Sequence, residues 1–433
     1  MKILITGAQG FIGSRLAEAL SREGHQLVCP SRHTRPPASP GHRASGVPAD
    51  FTRMDDPLAW APWLEGVECV INTVGIFRDA TGADYTAVHV RAPVALFEAA
   101  RQCGARVIQF SALGADAEAR SDFHRSKRAA DDALRALGMA AFIVQPSLVY
   151  GPGGTSAALF DRLAMVPVLP LPNGGRQRIQ PVHIDDVVAG VLALLRTPAA
   201  GAVTIAFCGP RALGLRDYLA ALRRGLGIAG RQHVVPLPAA VARAAARWGG
   251  PLSGGLLTPE SLAMLERGNT ADPSAFARLL GRPPIPPERF VDPAERDALR
   301  ARALLANVVP LLRLSVALVW LWTAVVSLGW YPVADSLALL QRAGVPPPLA
   351  PLALYGAALL DLLFGLLTLA WRGRRARYLW LAQACLILAY TVVITLRLPE
   401  QWLHPFGPMS KNLPMLAVLA LLYLHDCGPR ARR

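Results

Sequence analysis

Short apolar runs alternate with amphipathic stretches through the first third of the chain. The runs "KILIT" (2–6), "QLVCP" (26–30), "CVINTV" (69–74), "RVIQFS" (106–111) and "FIVQPS" (142–147) are short and rich in branched side chains. Helix-like stretches separate them. That alternation predicts a doubly wound α/β fold, a Rossmann-type parallel sheet over residues 1–150. Residues 151–300 are richer in Pro and Gly, with helical pieces "DDVVAGVLALLR" (185–196) and "LRDYLAALRRGLG" (215–227). They predict a smaller substrate lobe of the same domain, packed at the C-terminal edge of the sheet, where ligands of such folds bind.

From residue 301 the pattern changes. Residues 312–330, 349–371 and 378–396 are each long and apolar enough to cross a bilayer at about 20 residues per span. A fourth run, 413–424, is short. It spans only if residues 409–412 join its helix and the helix stands nearly upright. Residues 301–433 are therefore expected to form an all-α four-helix transmembrane bundle.

Composition agrees with a membrane segment. Hydrophobic residues make up 52% and charged residues 17%, and the mean hydropathy is +0.32, too apolar for an ordinary soluble enzyme. The net charge of +15 comes almost wholly from arginine, since Lys2, Lys127 and Lys411 are the only lysines. No basic run is interleaved with stacking aromatics, so a nucleic-acid partner is not expected. The six cysteines are scattered without C-x-x-C spacing, which argues against a metal site or a disulfide framework. The opening "MKILITGAQG" reads as a strand entering a turn, not as a signal peptide.

Arginine placement predicts orientation. "WRGRRAR" carries Arg372, Arg374, Arg375 and Arg377, and the tail carries Arg430, Arg432 and Arg433. The other two loops carry Arg342, and then Arg397 and Lys411. The positive-inside rule puts both termini and the first domain in the cytoplasm, with the bundle in a bacterial inner membrane.

The strongest local signal is "ILITGAQGFIGSRLAEAL". Thr6, Gly7, Gly10, Phe11, Ile12 and Gly13 lie between the first strand and a helix. Small residues there let the backbone approach a pyrophosphate, and the helix N-terminus offers free N–H groups. A nicotinamide dinucleotide is the expected ligand. NAD sites present a carboxylate about 20 residues further on, for the ribose 2′-OH, whereas NADP sites present arginine. Here stand Ser31, Arg32 and Arg35 and no acid, which favours NADP over NAD. The alternative is that these arginines only solvate a loop. Asp50 and Phe51 fall where the third strand is expected to end, a position for touching the adenine or for plain surface.

The run T-G-x-x-G-x-x-G is followed in order by "QFSALGAD", "RSK", "PSLVYGPG" and "QPVHIDDV". Together, over residues 1 to about 290, they resemble an atypical short-chain dehydrogenase/reductase of the NAD-dependent epimerase/dehydratase type. The branch they most resemble is the one that includes the nucleotide-binding accessory subunit of respiratory complex I. The C-terminal bundle, with "HPFGPMSKNLPML", resembles a DoxX-like membrane domain. The resemblance implies a serine that positions a carbonyl, here Ser111. It implies a lysine that holds the nicotinamide ribose, here Lys127, and a tyrosine acid/base four residues earlier. Phe123 stands at that position, and a benzene ring neither donates nor accepts a proton. His124, Tyr150 and His183 are the candidate replacements, each with a structural alternative. Asp185 and Asp186 read as a helix cap.

Two main functions follow. One is a membrane-anchored NADP-dependent oxidoreductase acting on an apolar, quinone- or lipid-like substrate. The other is a non-catalytic nucleotide-binding protein with an assembly or sensing role. A nucleotide-gated transporter would need Asp361, the one carboxylate deep in a span, which reads sooner as an interhelix hydrogen-bonding group.

Overall fold

The computed structural model describes residues 1–31, 42–43, 50–76, 85–249, 258–405 and 407–428. Arg32, Arg35, Arg430, Arg432 and Arg433 lie outside the described residues. The chain divides into two compact units, Met1–Ala303 and Leu304–Arg433.

Seven parallel strands build the sheet of the first unit. They are β1 (Lys2–Thr6), β2 (Gln26–Val28), β3 (His42–Arg43), β4 (Cys69–Asn72), β5 (Arg106–Phe110), β6 (Ala141–Pro146) and β7 (Ala202–Phe207). Their order is β7-β6-β5-β4-β1-β2-β3. The chain winds outward from β1 to β3 and then crosses back to β4, so the order reverses between β1 and β4. That switch point is where doubly wound sheets bind ligands.

The alternation of side chains explains the layers. Ile3, Ile5, Ile71 and Ile108 face Leu16 and Leu20 of α1 (Phe11–Arg22). Leu4, Val70 and Val107 face the opposite way, beside Trp60 and Trp63 of α2 (Pro57–Leu64), Leu96 and Phe97 of α3 (Ala92–Gln102) and Leu134 of α4 (Asp122–Ala136). Both faces are thus covered by helices, as a parallel sheet requires.

The apolar runs predict five of the seven strands. β3 has two residues, too few to leave a pattern. β7 is an edge strand that pairs along its whole length with β6. Asp50 and Phe51 are not themselves in a strand; they open a turn in which the Arg53 N–H donates to Asp50 O at 2.9 Å.

The smaller lobe is built around α5 (Thr155–Met165), two-stranded pairs and later helices. Yet three elements from residues 151–300 belong to the main sheet's layers. They are β7, α10 (Ser274–Leu280), whose Phe276 stacks on Phe207 at 4.2 Å, and α6 (Ile184–Arg196), whose Val187, Val191 and Leu194 pack with Ile3 and Ile5. What remains has its own core, in which Tyr150, Leu169 and Phe290 meet Tyr218, Leu219 and Leu222 of α7 (Leu215–Gly225). Helices α8 (Ala239–Gly249) and α9 (Pro259–Arg267) pack on each other through Ala242, Ala246 and Leu262. The cap expected of Asp185 and Asp186 is supplied by His183, because α6 begins one residue before the two acids. His183 Nδ1 accepts the Asp185 N–H at 3.3 Å. Asp186 is fully buried and accepts from Arg282 and from the Ile285 N–H, each at 2.6 Å.

The helices of the C-terminal region are α11 (Arg296–Val325), α12 (Val333–Arg342), α13 (Ala350–Ala370), α14 (Ala376–Arg397) and α15 (Asn412–Cys427). Three stretches, Arg296–Trp330, Pro347–Ala370 and Gly373–Arg397, are long and apolar enough to cross a membrane. α15 has 16 residues, about 24 Å at 1.5 Å per residue, against a bilayer core of roughly 30 Å. Of residues 409–412 only Asn412 joins the helix, so the condition for a full fourth span is not met at that end. The second unit is apolar outside, and its apolar core also encloses polar side chains. Leu352, Leu359, Leu388 and Leu396 are exposed, while buried Arg313 donates to Asp426 at 3.2 Å and buried Gln383 to Thr368 at 2.9 Å. Only hydrocarbon covers such an exterior without cost. Asp361 points inward, and its Oδ1 has no hydrogen-bond partner among the described residues.

Candidate functional site

The glycine turn is dictated by contact. β1 ends at Thr6, and Gly7 has φ +74°. A Cβ on Gly7 would lie 2.8 Å from Thr73 Oγ1, and one on Gly13 would lie 2.2 Å from the Gly7 carbonyl oxygen. Neither distance is tolerable, so β1 and α1 meet this closely only through glycine. Gly10 is the N-cap of α1 and brings no side-chain cap. The first N–H groups of that helix therefore face the turn with the positive end of the helix dipole behind them.

The other residues of the motif support the turn from below and beside. The buried Thr6 hydroxyl donates to Asn72 at 2.6 Å, and the Asn72 amide donates to Gln109 at 2.7 Å. Thr6 thus ties β1 to β4 and β5 under the glycines. The Phe11 ring lies 3.0 Å from where a Cβ on Gly154 would stand. The "YGPGG" loop consequently rests on the start of α1, and Arg15 donates to Pro152 O at 3.2 Å. Ile12 packs into the sheet core. Ser31, beyond β2, accepts from Gln9 at 2.9 Å, which brings the end of that strand to the turn. Asp50 and Phe51 make contacts within their own segment. Asp50 accepts the Thr52 N–H and hydroxyl, and the Phe51 ring packs edge-on against Trp60 at 5.3 Å.

α4 supplies the second half of the site. Its N-cap Ser121 accepts the His124 N–H at 3.2 Å. Lys127 is buried, with Nζ donating to Val74 O at 3.1 Å and to Phe110 O at 3.0 Å. Those carbonyls lie at the ends of β4 and β5, on the side where the turn opens. Burial lowers the Lys127 pKa to about 8, against a raising influence from Asp131. Asp131, one helical turn further along α4, is fully buried and accepts the Ser111 hydroxyl. Burial raises its pKa to about 6, opposed by the Ser111 bond and then by the Lys127 charge. Ser111 and Lys127 are therefore linked through Asp131, a residue the motif reading passed over although its i+4 spacing from Lys127 was visible. The Ser111 hydroxyl is turned toward α4.

Phe123 sits among aromatic rings. Its ring meets His89 edge-on at 5.6 Å and Tyr85 at 6.4 Å, and Tyr85 stacks on His89 at 5.2 Å. Tyr85 and His89 come from a π-helical turn, Thr86–Arg91, and its N-cap, a distortion frequent at functional sites. His89 accepts the Ile76 N–H at Nε2 and pairs at Nδ1 with Ser126 Oγ, 2.9 Å away. Nδ1 therefore carries the proton. Burial, then Lys127, pushes its pKa down to about 3, so the ring is neutral and both nitrogens are engaged. A Cβ on Gly75 would lie 3.2 Å from Lys127 Nζ and 3.7 Å from His89 Nε2. The Tyr85 ring thus stacks on a histidine that neighbours Lys127. The sequence held a clue in the i,i+4 pair of Tyr85 and His89 after β4.

Of the three replacements weighed for Phe123, His124 lies beside it, with ring centroids 5.5 Å apart, while Tyr150 and His183 are held elsewhere. His124 packs on the Leu113–Gly114 turn, 3.1 Å from where a Gly114 Cβ would be, and burial, then Arg267, lowers its pKa. Tyr150 is buried, donates to Asp161 at 3.1 Å and stacks on Phe290 at 5.1 Å. His183 caps α6. No group of three or more metal-ligating side chains occurs among the described residues.

Comparisons with known proteins agree with this arrangement. Residues 3–207 match the NAD dependent epimerase/dehydratase family, and residues 317–420 match the DoxX-like family. The chain thus carries a domain of the NAD-dependent epimerase/dehydratase family at its N-terminal side and a DoxX-like domain at its C-terminal side. A ceramide reductase of Caulobacter vibrioides is 35% identical over 204 residues, 47% of this chain and 63% of that protein. NADH dehydrogenase [ubiquinone] 1 alpha subcomplex subunit 9 of Mus musculus is 28% identical over 217 residues, 48% of this chain and 56% of that one. The chain spans about three fifths of the length of these curated relatives. MoeE5, solved with UDP-glucuronic acid and NAD, shares the fold at TM-score 0.52 and 20% identity, over 69% of this chain and 99% of its own.

Proposed function

We propose that the chain is a membrane-anchored reductase that uses a nicotinamide dinucleotide, NADP(H) in preference to NAD(H), on an apolar, lipid- or quinone-like carbonyl compound. The observation that carries this reading is Lys127. In a chain that writes nearly every cation as arginine, one buried lysine stands at the ends of β4 and β5, beside a turn that only glycine permits. A compact ammonium has three N–H donors, and two go to Val74 and Phe110. The third suits a ribose hydroxyl.

The glycine cradle and the uncapped start of α1 fit a dinucleotide. Gly7, Gly10, Gly13 and the first N–H groups of α1 would hold its pyrophosphate, Ser31 the adenosine side and Lys127 the nicotinamide ribose. Bound there, the nucleotide supplies a hydride. The chain supplies the rest: Lys127 orients the ribose and lends positive charge. Asp131, held by Ser111, keeps that charge on Lys127. Tyr85 donates the proton that Phe123 is unable to give. Support for an apolar substrate comes from the DoxX-like unit and from the ceramide reductase relative.

The preference for NADP(H) rests on Arg32 and Arg35. A 2′-phosphate offers arginine a charge-assisted bond that NAD lacks. In titrations of the purified full chain, Arg32→Ala is expected to weaken NADPH far more than NADH. Equal weakening, or tighter NADH binding by the parent, refutes the preference. The reductase reading itself is tested by NADPH oxidation with a long-chain ketone or a soluble quinone. Binding without oxidation selects the second reading, a nucleotide-binding assembly protein, which Phe123 and the complex I relative favour.

The arginines between α13 and α14 support a cytoplasmic placement of that loop and of both termini. In a cysteine-free background, Leu403→Cys is expected to react with a membrane-impermeant maleimide added to intact cells, and Arg374→Cys to stay unlabelled. The reverse pattern overturns this topology.

A further inference from the structure

A cavity of about 440 Å³ opens where α7 ends and α11 begins. Its wall includes Arg224 at the end of α7, Arg289 of the turn Pro287–Arg289, and Arg296 at the start of α11. It shares no residue with the glycine turn or with the Lys127 cluster. Arg224 and Arg289 are solvent-exposed and Arg296 is half-buried, so water screens their repulsion, but the three guanidinium groups leave the cavity positive. Glu288, the one acid in the wall, is already paired with Arg211. The Arg296 Nε–H donates to Gly225 O at 2.9 Å, which fixes that guanidinium at the wall. The long helix that starts here adds the positive end of its dipole, moderated by Asp297 in its first turn and by Asp292, whose carboxylate accepts the Ala294 N–H at 2.8 Å.

We propose that this cavity binds a phosphate group, supplied by the headgroup of an anionic phospholipid. Arginine forks match phosphate oxygens in pairs, and guanidinium sheds its hydration more readily than ammonium. The lipid is the favoured source because of where the cavity lies along the chain. Arg296 opens α11, and the same helix supplies the first apolar stretch long enough to cross a membrane. Leu304 follows eight residues later, about 12 Å along the axis, with Arg300 and Arg302 between. Basic side chains immediately before a span are drawn to anionic headgroups. An occupied cavity would fix the start of α11 at the headgroup level.

The full chain, purified in a neutral detergent, tests this. The probes are short-chain phosphatidylglycerol, short-chain phosphatidylcholine and inorganic phosphate, with binding read by native mass spectrometry or calorimetry. Phosphatidylglycerol is expected to bind saturably, more weakly as salt rises, and without displacement by millimolar inorganic phosphate. Arg224→Gln and Arg289→Gln are each expected to weaken it about fivefold, with NADPH affinity unchanged as the check on folding. Equal binding of phosphatidylcholine, or full retention of phosphatidylglycerol by the double variant, overturns the site. Displacement by inorganic phosphate at equal concentration overturns the lipid as its source.

Discussion

Tyr85→Phe is expected to lower turnover by roughly 10²–10⁴-fold, the range for losing a general acid, while NADPH affinity stays at the parent value. The expectation follows from which groups around Phe123 have a proton to give. Phe123 has none. His89 is neutral, with one nitrogen accepting from Ile76 and the other paired with Ser126, so donating would break the bonds that hold it. Tyr85 stacks on that imidazole and meets the Phe123 ring edge-on. A phenol is restored from the other side in the double variant Tyr85→Phe, Phe123→Tyr, which adds one hydroxyl to a ring already in place. That variant is expected to regain a substantial part of the lost activity. Turnover equal to the parent in Tyr85→Phe sinks the role of Tyr85 and leaves the reductase intact. A parent that binds NADPH but never oxidises it fails the reductase reading instead, so the two failures are distinguishable.

The parts of this site that the sequence displayed are those fixed by backbone geometry. Gly7 and Gly13 are glycines because no side chain fits within 3 Å of the Gly7 carbonyl or Thr73, a constraint that leaves a fixed spacing. Lys127 stood out because it interrupts an arginine-only habit. The strands of the sheet showed themselves through apolar runs buried on both faces. What stayed hidden depends on tertiary placement. Asp131 looks like one more acid on a polar helix until β5 puts Ser111 beside it. Tyr85 follows a stretch without clear periodicity, and its role comes only from a π turn that swings it over His89. β3, with two described residues, has no pattern to show. β7 was overlooked because it lies in a Pro- and Gly-rich region and returns to the sheet from far along the chain. In the membrane region, hydropathy located the long helices but not the amphipathic α12, since its polar face hides it from any search for apolar runs.

Lys127→Met is expected to weaken NADPH binding by roughly ten- to a hundredfold, the equivalent of one hydrogen bond to a charged group. Methionine keeps most of the stem volume, so packing changes little and the loss belongs to the ammonium. The pH dependence gives a sharper signature. Burial lowers the Lys127 pKa from its ordinary 10.5 to about 8. Below pH 8 the ammonium is present and affinity is full; as pH rises through about 8 the proton leaves and affinity falls. An exposed lysine would show no such limb until beyond pH 10. Asp131 holds the Lys127 pKa up, so Asp131→Asn is expected to move the limb to lower pH without abolishing it. In Lys127→Met the limb disappears and affinity is weak and flat across the range. Fluorescence titrations of NADPH between pH 6.5 and about 9.5 decide the matter. A parent whose affinity stays constant through pH 8, or a Lys127→Met variant that keeps the limb, would show that the ammonium serves only the Val74 and Phe110 carbonyls.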